Sequence, residues 1–221
     1  TLLGGAFGRK AYHDFLLEAC HISRELKKPV KVIWTREDDI TQGPYRPGML
    51  SHMQGYVENE KIAGFHHHAI GESILGQVFK GLKPDEADGW IGEELSTGNN
   101  KYAFPSSSKI SWANVQTEIP IVWWRSVYAS NFGWGQECFI DELAHLAGKD
   151  PLKARLEILP DPRFKTVLNT LAEKAKWDDK LPTGSGKGLA VFKSFGSICA
   201  SCITVSKKDN GVKIDKVITV I

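Results

Sequence analysis

A glycine-rich turn between an apolar run and an amphipathic stretch dictates the local architecture at the start of this chain. Thr1-Leu2-Leu3 leads into Gly4-Gly5-Ala6-Phe7-Gly8-Arg9-Lys10, and the segment from Ala11 to Lys27 follows. The pattern predicts a strand, a turn and a helix. Glycines at 4, 5 and 8 admit positive φ and leave no side chain over the backbone, so peptide N–H groups of the turn can converge on an anion beside the helix. The same spacing also describes a plain tight turn. Neither common phosphate-binding pattern is present: Ala6 and Phe7 break G-x-G-x-x-G, and no G-x-x-x-x-G-K-[ST] occurs.

The rest of the chain predicts a mixed α/β architecture of the α+β kind. Phe15, Ala19, Ile22 and Leu26 share one helical face, and Pro29 lies just beyond it. Val30, Val32 and Trp34 alternate with Lys31, Ile33 and Thr35, which predicts a strand, and Arg36-Glu37-Asp38-Asp39 opens a polar loop running through Gly43-Pro44 to Tyr45-Arg46-Pro47. Ser51 to Glu58 and Ile62 to Gly71 predict a hairpin joined by Asn59-Glu60-Lys61. Ser73 to Ser111 is poorly periodic, as expected of a surface excursion, a lid or part of an interface. Trp112 to Trp124 is extended, broken by Pro120, and delivers Trp123-Trp124-Arg125-Ser126 to a loop.

Asn131 to Ala147 is a helix with a broad apolar face and Gly148 just past its end; Asp150-Pro151 caps a second, and Arg163 to Trp177 is a third with Phe164, Val167, Leu168, Leu171 and Ala175 on one side. After Pro182-Thr183-Gly184-Ser185-Gly186, Gly188 to Ser206 and Gly211 to Ile221 read as strands, with Asn210-Gly211 as the hairpin signal. The change from helical to β composition sets an expected boundary near residue 183, dividing residues 1–182 from a β-rich subdomain at 183–221. The apolar runs at both ends lead us to expect a piece of a longer polypeptide, with any site completed by other segments absent from it.

Composition excludes more than it assigns. Across 221 residues the net charge is +2, and basic residues are interleaved with acids, so no nucleic-acid footprint is expected. No apolar run approaches the ~20 residues needed to span a bilayer. Cys199 and Cys202 spell C-x-x-C, but they fall in a predicted strand, where residues three apart point to opposite faces, so a structural role is expected for them rather than a shared metal. In His66-His67-His68 only His66 and His68 share a side, with no carboxylate or cysteine at obvious spacing, which favours strand surface over a metal site.

Three stretches together resemble the molybdenum hydroxylases, the xanthine dehydrogenase and aldehyde oxidase family. Leu3-Gly4-Gly5-Ala6-Phe7-Gly8-Arg9-Lys10 is similar to that family's G-G-x-F-G-[GR]-[KR] loop. Trp124-Arg125-Ser126, followed by Glu137-Cys138-Phe139-Ile140-Asp141-Glu142-Leu143-Ala144 and Gly148-Lys149-Asp150-Pro151, resembles its W-R-S segment and its E-x-F-[IM]-D-E-L-A helix. Gly186-Lys187-Gly188-Leu189-Ala190 is the third. Within the family, Lys28-Pro29-Val30-Lys31-Val32 and Arg36-Glu37-Asp38-Asp39 through Tyr45-Arg46-Pro47 look most like the beta subunit of isoquinoline 1-oxidoreductase and related aldehyde dehydrogenases.

The resemblance implies a fragment of a molybdopterin-binding catalytic subunit, the cofactor usually in its cytosine dinucleotide form, with a partner subunit carrying two [2Fe–2S] clusters. The implied reaction is hydroxylation of an N-heterocycle or aldehyde with water, electrons leaving through the iron–sulfur centres. It further implies that Gly5, Ala6, Phe7 and Gly8 bind the cofactor and that Arg125 lies beside the molybdenum, where a guanidinium supplies fixed positive charge and a planar donor fork. Stacking on Trp123 or Trp124 is the plain alternative for Arg125. Ala11 stands where xanthine dehydrogenases have a purine-binding carboxylate, and Val127 where they have a stacking aromatic, so a purine is not the expected substrate. The family's catalytic glutamate is expected beyond Ile221 and its glutamine loop before Thr1, so the chain alone is expected to be inactive and free of molybdenum. Two other readings stay open at this point: a non-catalytic assembly or binding domain of the same fold without cofactor, and an unrelated anion-binding α/β module.

Overall fold

The computed structural model describes residues 4–79, 86–95, 102–103 and 108–221. The apolar run expected as a first strand, Thr1 to Leu3, lies outside them. The turn from Gly4 to Gly8 passes into a short 3-10 turn at Arg9–Ala11, and helix α1 begins only at Asp14, running to Leu26. Arg9 holds this junction, its guanidinium donating two hydrogen bonds of 2.8 Å to the Asp14 carboxylate. The apolar stripe of α1 is present as expected, but no residue of the helix is buried.

Two expectations fail in the next segment. Residues 30–35 make no strand ladder, because among the described residues no strand pairs with them. Arg36 to Asp39 is not a loop but the start of helix α2, Arg36–Gln42. Its cause is a capping box: the Thr35 hydroxyl accepts from the Asp38 amide, and the Asp38 carboxylate accepts from the Thr35 amide at 3.0 Å.

The expected hairpin is present as β1, Met49–Glu58, antiparallel to β2, Lys61–Gly71. Asn59 and Glu60 both take positive φ (49° and 58°), the two-residue turn that matches strand twist. Alternation turns His67 inward, where its Nε2 lies 2.9 Å from Ser51 Oγ and burial, helped by the charges of His66 and His68, holds its pKa down at about 4. His66 and His68 stay partly exposed. Among the described residues no three His, Cys, Asp or Glu side chains are grouped to hold a metal ion. The irregular segment from Ser73 contains helices α3, Ile74–Phe79, and α4, Gly89–Leu95. Strand β3, Lys109–Asn114, then runs parallel to β2, giving a first sheet of order β1-β2-β3, and the extended stretch beyond it returns as a single bridge between Tyr45 and Ile121.

Helix α5, Ala129–Leu146, packs on β1 and on β4, Ser185–Ser194, so it lies between the two sheets. On the β1 side Gly135 packs under Met53, whose Cε lies 2.7 Å from where a Gly135 Cβ would stand. Helix α6, Pro151–Ile158, starts on the Asp150 carboxylate, which accepts from the Leu152 and Lys153 amides at 3.0 Å. Helix α7, Pro162–Ala175, covers β5, Ser197–Lys208, and β6, Gly211–Val220.

The expected long strand from Gly188 to Ser206 is two strands, β4 and β5, because Phe195 and Gly196 turn the chain at positive φ. The β5–β6 hairpin turns one residue earlier than its Asn210-Gly211 signal, at Asp209-Asn210. The second sheet is antiparallel with order β4-β5-β6. In β5 Cys202 is buried and Cys199 half-buried on the other face, both as free thiols.

One core cluster joins Ile140 of α5 to Leu152 of α6, to Phe164, Leu168 and Leu171 of α7, and to the inner face of β4 and β5; the other surrounds Phe132 and Tyr128 near the start of α5. A polar network crosses the first. Fully buried Arg155 donates to the Glu137 carboxylate at 2.9 Å and to Asp141 at 2.5 Å, while Glu137 also accepts from Tyr102 at 2.5 Å and from the Val191 amide at 2.8 Å. Burial opposes the charge on Arg155, but Glu137, Tyr102 and Asp141 outweigh it and raise the pKa; burial and Glu137 raise that of Tyr102. The architecture is α+β. No helix among the described residues is long and apolar enough to cross a membrane.

Candidate functional site

Two segments far apart in sequence meet at one cavity of about 640 Å³. The first is the glycine turn. Gly4 and Gly8 take positive φ (68° and 93°), and the third left-handed position falls on Phe7 (φ 55°), leaving Ala6 in an ordinary conformation. The second segment is Trp123 to Val127. A Cβ on Gly8 would meet the Trp123 carbonyl oxygen at 2.3 Å, so only glycine permits this approach.

The contact brings Phe7, Gly8 and Arg125 to the same cavity, while Gly5 and Ala6 are not among its lining residues and sit beside it in the turn. The Arg125 guanidinium lies over the Phe7 ring, 5.4 Å from its centroid. The stacking partner is therefore Phe7, not the neighbouring tryptophans considered from sequence. Trp90 and Trp123 stand 6.0 Å apart, centroid to centroid, and with Phe79 and Leu75 make the apolar wall. Ala11 and Val127 line the same space.

The backbone at this site is strained. Ser126 (φ 65°) and Val127 (φ 45°) are both left-handed, a conformation that a β-branched residue adopts only when its surroundings enforce it. The Val127 amide closes the turn by donating to Trp124 O at 2.6 Å, and Arg46 packs its fork against the same loop. Its guanidinium donates to the carbonyls of Val127 and Arg125 and to Ser130 Oγ, each at 2.7 Å. Sequence reading gave Arg46 no place in the site, since its partners lie up to 84 positions away and no local spacing announces them.

Molybdopterin is an anionic cofactor, and this region offers groups that suit an anion. Arg125 lines the cavity, the Lys10 ammonium lies 4.0 Å from where a Gly4 Cβ would stand, and the turn beside the cavity leaves open backbone at Gly5, where a Cβ would meet nothing within 4 Å.

Comparison with known proteins identifies the family of the chain. The molybdopterin cofactor-binding domain family matches residues 1–159. The chain is 29% identical over 197 residues to the beta subunit of the isoquinoline 1-oxidoreductase of Brevundimonas diminuta, covering 86% of this chain and 24% of that protein. It is 30% identical over 211 residues to a membrane-bound aldehyde dehydrogenase [pyrroloquinoline-quinone] of Gluconacetobacter polyoxogenes (86% and 27%), and 27% identical over 179 residues to a nicotinate dehydrogenase subunit of Pseudomonas putida (78% and 15%).

The fold is similar to the aldehyde oxidoreductase of Desulfovibrio gigas (TM-score 0.63, 14% identity, 85% of this chain and 22% of that one) and to that of Desulfovibrio desulfuricans (TM-score 0.61, 14% identity, 96% and 25%). The chain thus spans about a quarter of the first two curated relatives. The family match removes the reading of an unrelated anion-binding module. The chain belongs to the molybdopterin cofactor-binding domain family.

Proposed function

We propose that this chain forms one wall of the reaction cavity in the large subunit of a molybdenum-dependent oxidoreductase. The enzyme hydroxylates an N-heterocycle or an aldehyde with water and passes electrons to a partner subunit carrying [2Fe–2S] clusters. The observation that carries the reading is the Gly8–Trp123 approach, because it sets Phe7 and Arg125 against each other on one apolar cavity. We assign cofactor contact to Gly5, Ala6, Phe7, Gly8 and Arg125, and a cytosine dinucleotide form to the cofactor. Residues 1–182 then form the first part of the molybdopterin-binding domain, and 183–221 begin a β-rich subdomain that packs with it as one domain, its strands sharing a core with α5, α6 and α7.

When bound, molybdopterin supplies the two-electron redox centre. The chain's own residues do the rest of what is assigned here. Trp90, Trp123 and Phe79 offer apolar rings to a flat substrate, and Arg125 provides fixed positive charge where negative charge grows in the transition state, with no reorganisation needed. Ala11 and Val127 offer neither the carboxylate nor the stacking ring that the resemblance associates with purine binding, so a purine is not the substrate we propose.

The test is Arg125→Lys in the holoenzyme. Lysine keeps the charge and loses the planar fork, so kcat/KM falls roughly 10²-fold, with molybdenum content and melting temperature near wild type. A lower melting temperature with unchanged turnover per bound molybdenum would leave Arg125 as no more than a packing partner of Phe7 and sink the assignment.

A further inference from the structure

Arg46 uses its guanidinium in an unusual way. Among the described residues it has no carboxylate partner; its donors go to neutral oxygens of one short loop. Nη1 donates to Val127 O and Ser130 Oγ at 2.7 Å and to Trp124 O at 3.4 Å, and Nη2 donates to Arg125 O at 2.7 Å. Arg46 is itself anchored on both sides. The Tyr45 amide donates to Pro120 O at 2.8 Å, the Val122 amide donates to Tyr45 O at 3.0 Å, and Asn131 Nδ2 donates to Pro47 O at 3.0 Å. Helix α5 begins on the same loop, the Ala129 amide donating to Ser126 O at 2.9 Å.

We propose that Arg46 is the positioning residue of the candidate site: its planar fork gathers the carbonyls of residues 124, 125 and 127 and thereby holds Ser126 and Val127 left-handed. That backbone path fixes the direction in which Arg125 leaves the loop. Without the fork, three carbonyls lose a shared donor and the left-handed pair is left with the Val127 amide to Trp124 O bond and the Ala129 amide to Ser126 O bond, which are local and easily opened. An ammonium at the same position is a point charge on a flexible stem and cannot hold these oxygens in fixed directions. The catalytic half of this proposal rests on the role given to Arg125 above; the conformational half does not.

Three variants of the holoenzyme test it: Arg46→Lys, Arg125→Lys and the double variant, with turnover per bound molybdenum and amide exchange of residues 124–130 as readouts. Arg46→Lys is expected to speed exchange in 124–130 at least tenfold while the β1–β2 hairpin exchanges as in wild type, and to lower kcat at least tenfold with KM within threefold. The double variant is expected to lose little beyond Arg125→Lys alone, since a residue acting through Arg125 has nothing left to act on. Unchanged exchange in 124–130 overturns the clamp whatever the kinetics show. Losses that simply multiply in the double variant overturn the positioning role and leave a structural one. Unchanged turnover in Arg125→Lys with faster exchange in Arg46→Lys rejects the role of Arg125 and keeps the clamp. Ser130→Ala removes one acceptor and leaves the guanidinium in place; if Arg46→Lys does not accumulate, a rise of about threefold in exchange at 126–127 supports the clamp and none overturns it.

Discussion

Helices α1 and α7 carry apolar stripes of the same period, yet Phe164, Leu168 and Leu171 of α7 are buried whereas no residue of α1 is. In α7 the stripe lies on β5 and β6 and joins a continuous core. In α1 the side chains of Phe15, Leu16, Leu17, Ile22 and Leu26 remain exposed, and what fixes the helix start is the Arg9–Asp14 ion pair. Periodicity therefore specifies that a helix forms and which face is apolar; it does not specify what covers that face. The same contrast extends to α2, which has no buried residue and stands on its capping box. The chain combines a well-packed half, α5 through β6, with an N-terminal segment held mainly by local polar contacts.

The largest expected effect is in the packed half. Arg155→Met leaves the Glu137 carboxylate buried without its partner and is expected to cost about 3–5 kcal/mol, read from the urea midpoint. A loss below about 1 kcal/mol would mean that the network is not what joins α5, α6 and β4. Next comes a matched pair. Leu168→Ala in α7 is expected to cost about 2–5 kcal/mol, and Ile22→Ala in α1 less than about 0.5 kcal/mol. Equal losses at the two positions would erase the contrast. The smallest effect is local: Thr35→Ala removes the cap of α2 and is expected to cost that helix about 1 kcal/mol, a roughly fivefold faster amide exchange in residues 36–39 with the global midpoint unmoved. A shifted global midpoint would show that α2 unfolds together with the core.

What the sequence made legible follows the same division. Helices α5 to α7 were readable because stripe, cap and stop agree: Gly148 just past α5, Asp150-Pro151 before α6, and Phe164, Leu168 and Leu171 in register along α7. Residues 30–35 misled because alternation is a property of one segment while a strand needs a neighbour. Helix α2 was missed although Thr35 and Asp38 stood at capping-box spacing, since a run of charged neighbours reads as loop. The Phe195-Gly196 turn was hidden inside a long β-rich run, with only Gly196 to mark it. At the site, Gly8 stood out by the glycine spacing, Phe7 and Arg125 were named by resemblance, and Arg46 was given no place there because its contacts exist only in the folded chain.

The Arg46 clamp also says something about the order in which the molecule is built. Its hydrogen bond to the Arg125 carbonyl joins residues 79 positions apart, whereas the β1–β2 hairpin and the caps of α2, α6 and α7 close within a few residues. Chain entropy opposes a long closure until its contacts form, so helices and hairpins appear on the fast timescale of local contacts and the cavity waits for the ends of a long loop to meet. On that view the left-handed pair Ser126-Val127 is a late product of folding: the local Val127 to Trp124 bond can close the turn, but its strained backbone settles only when Arg46 arrives.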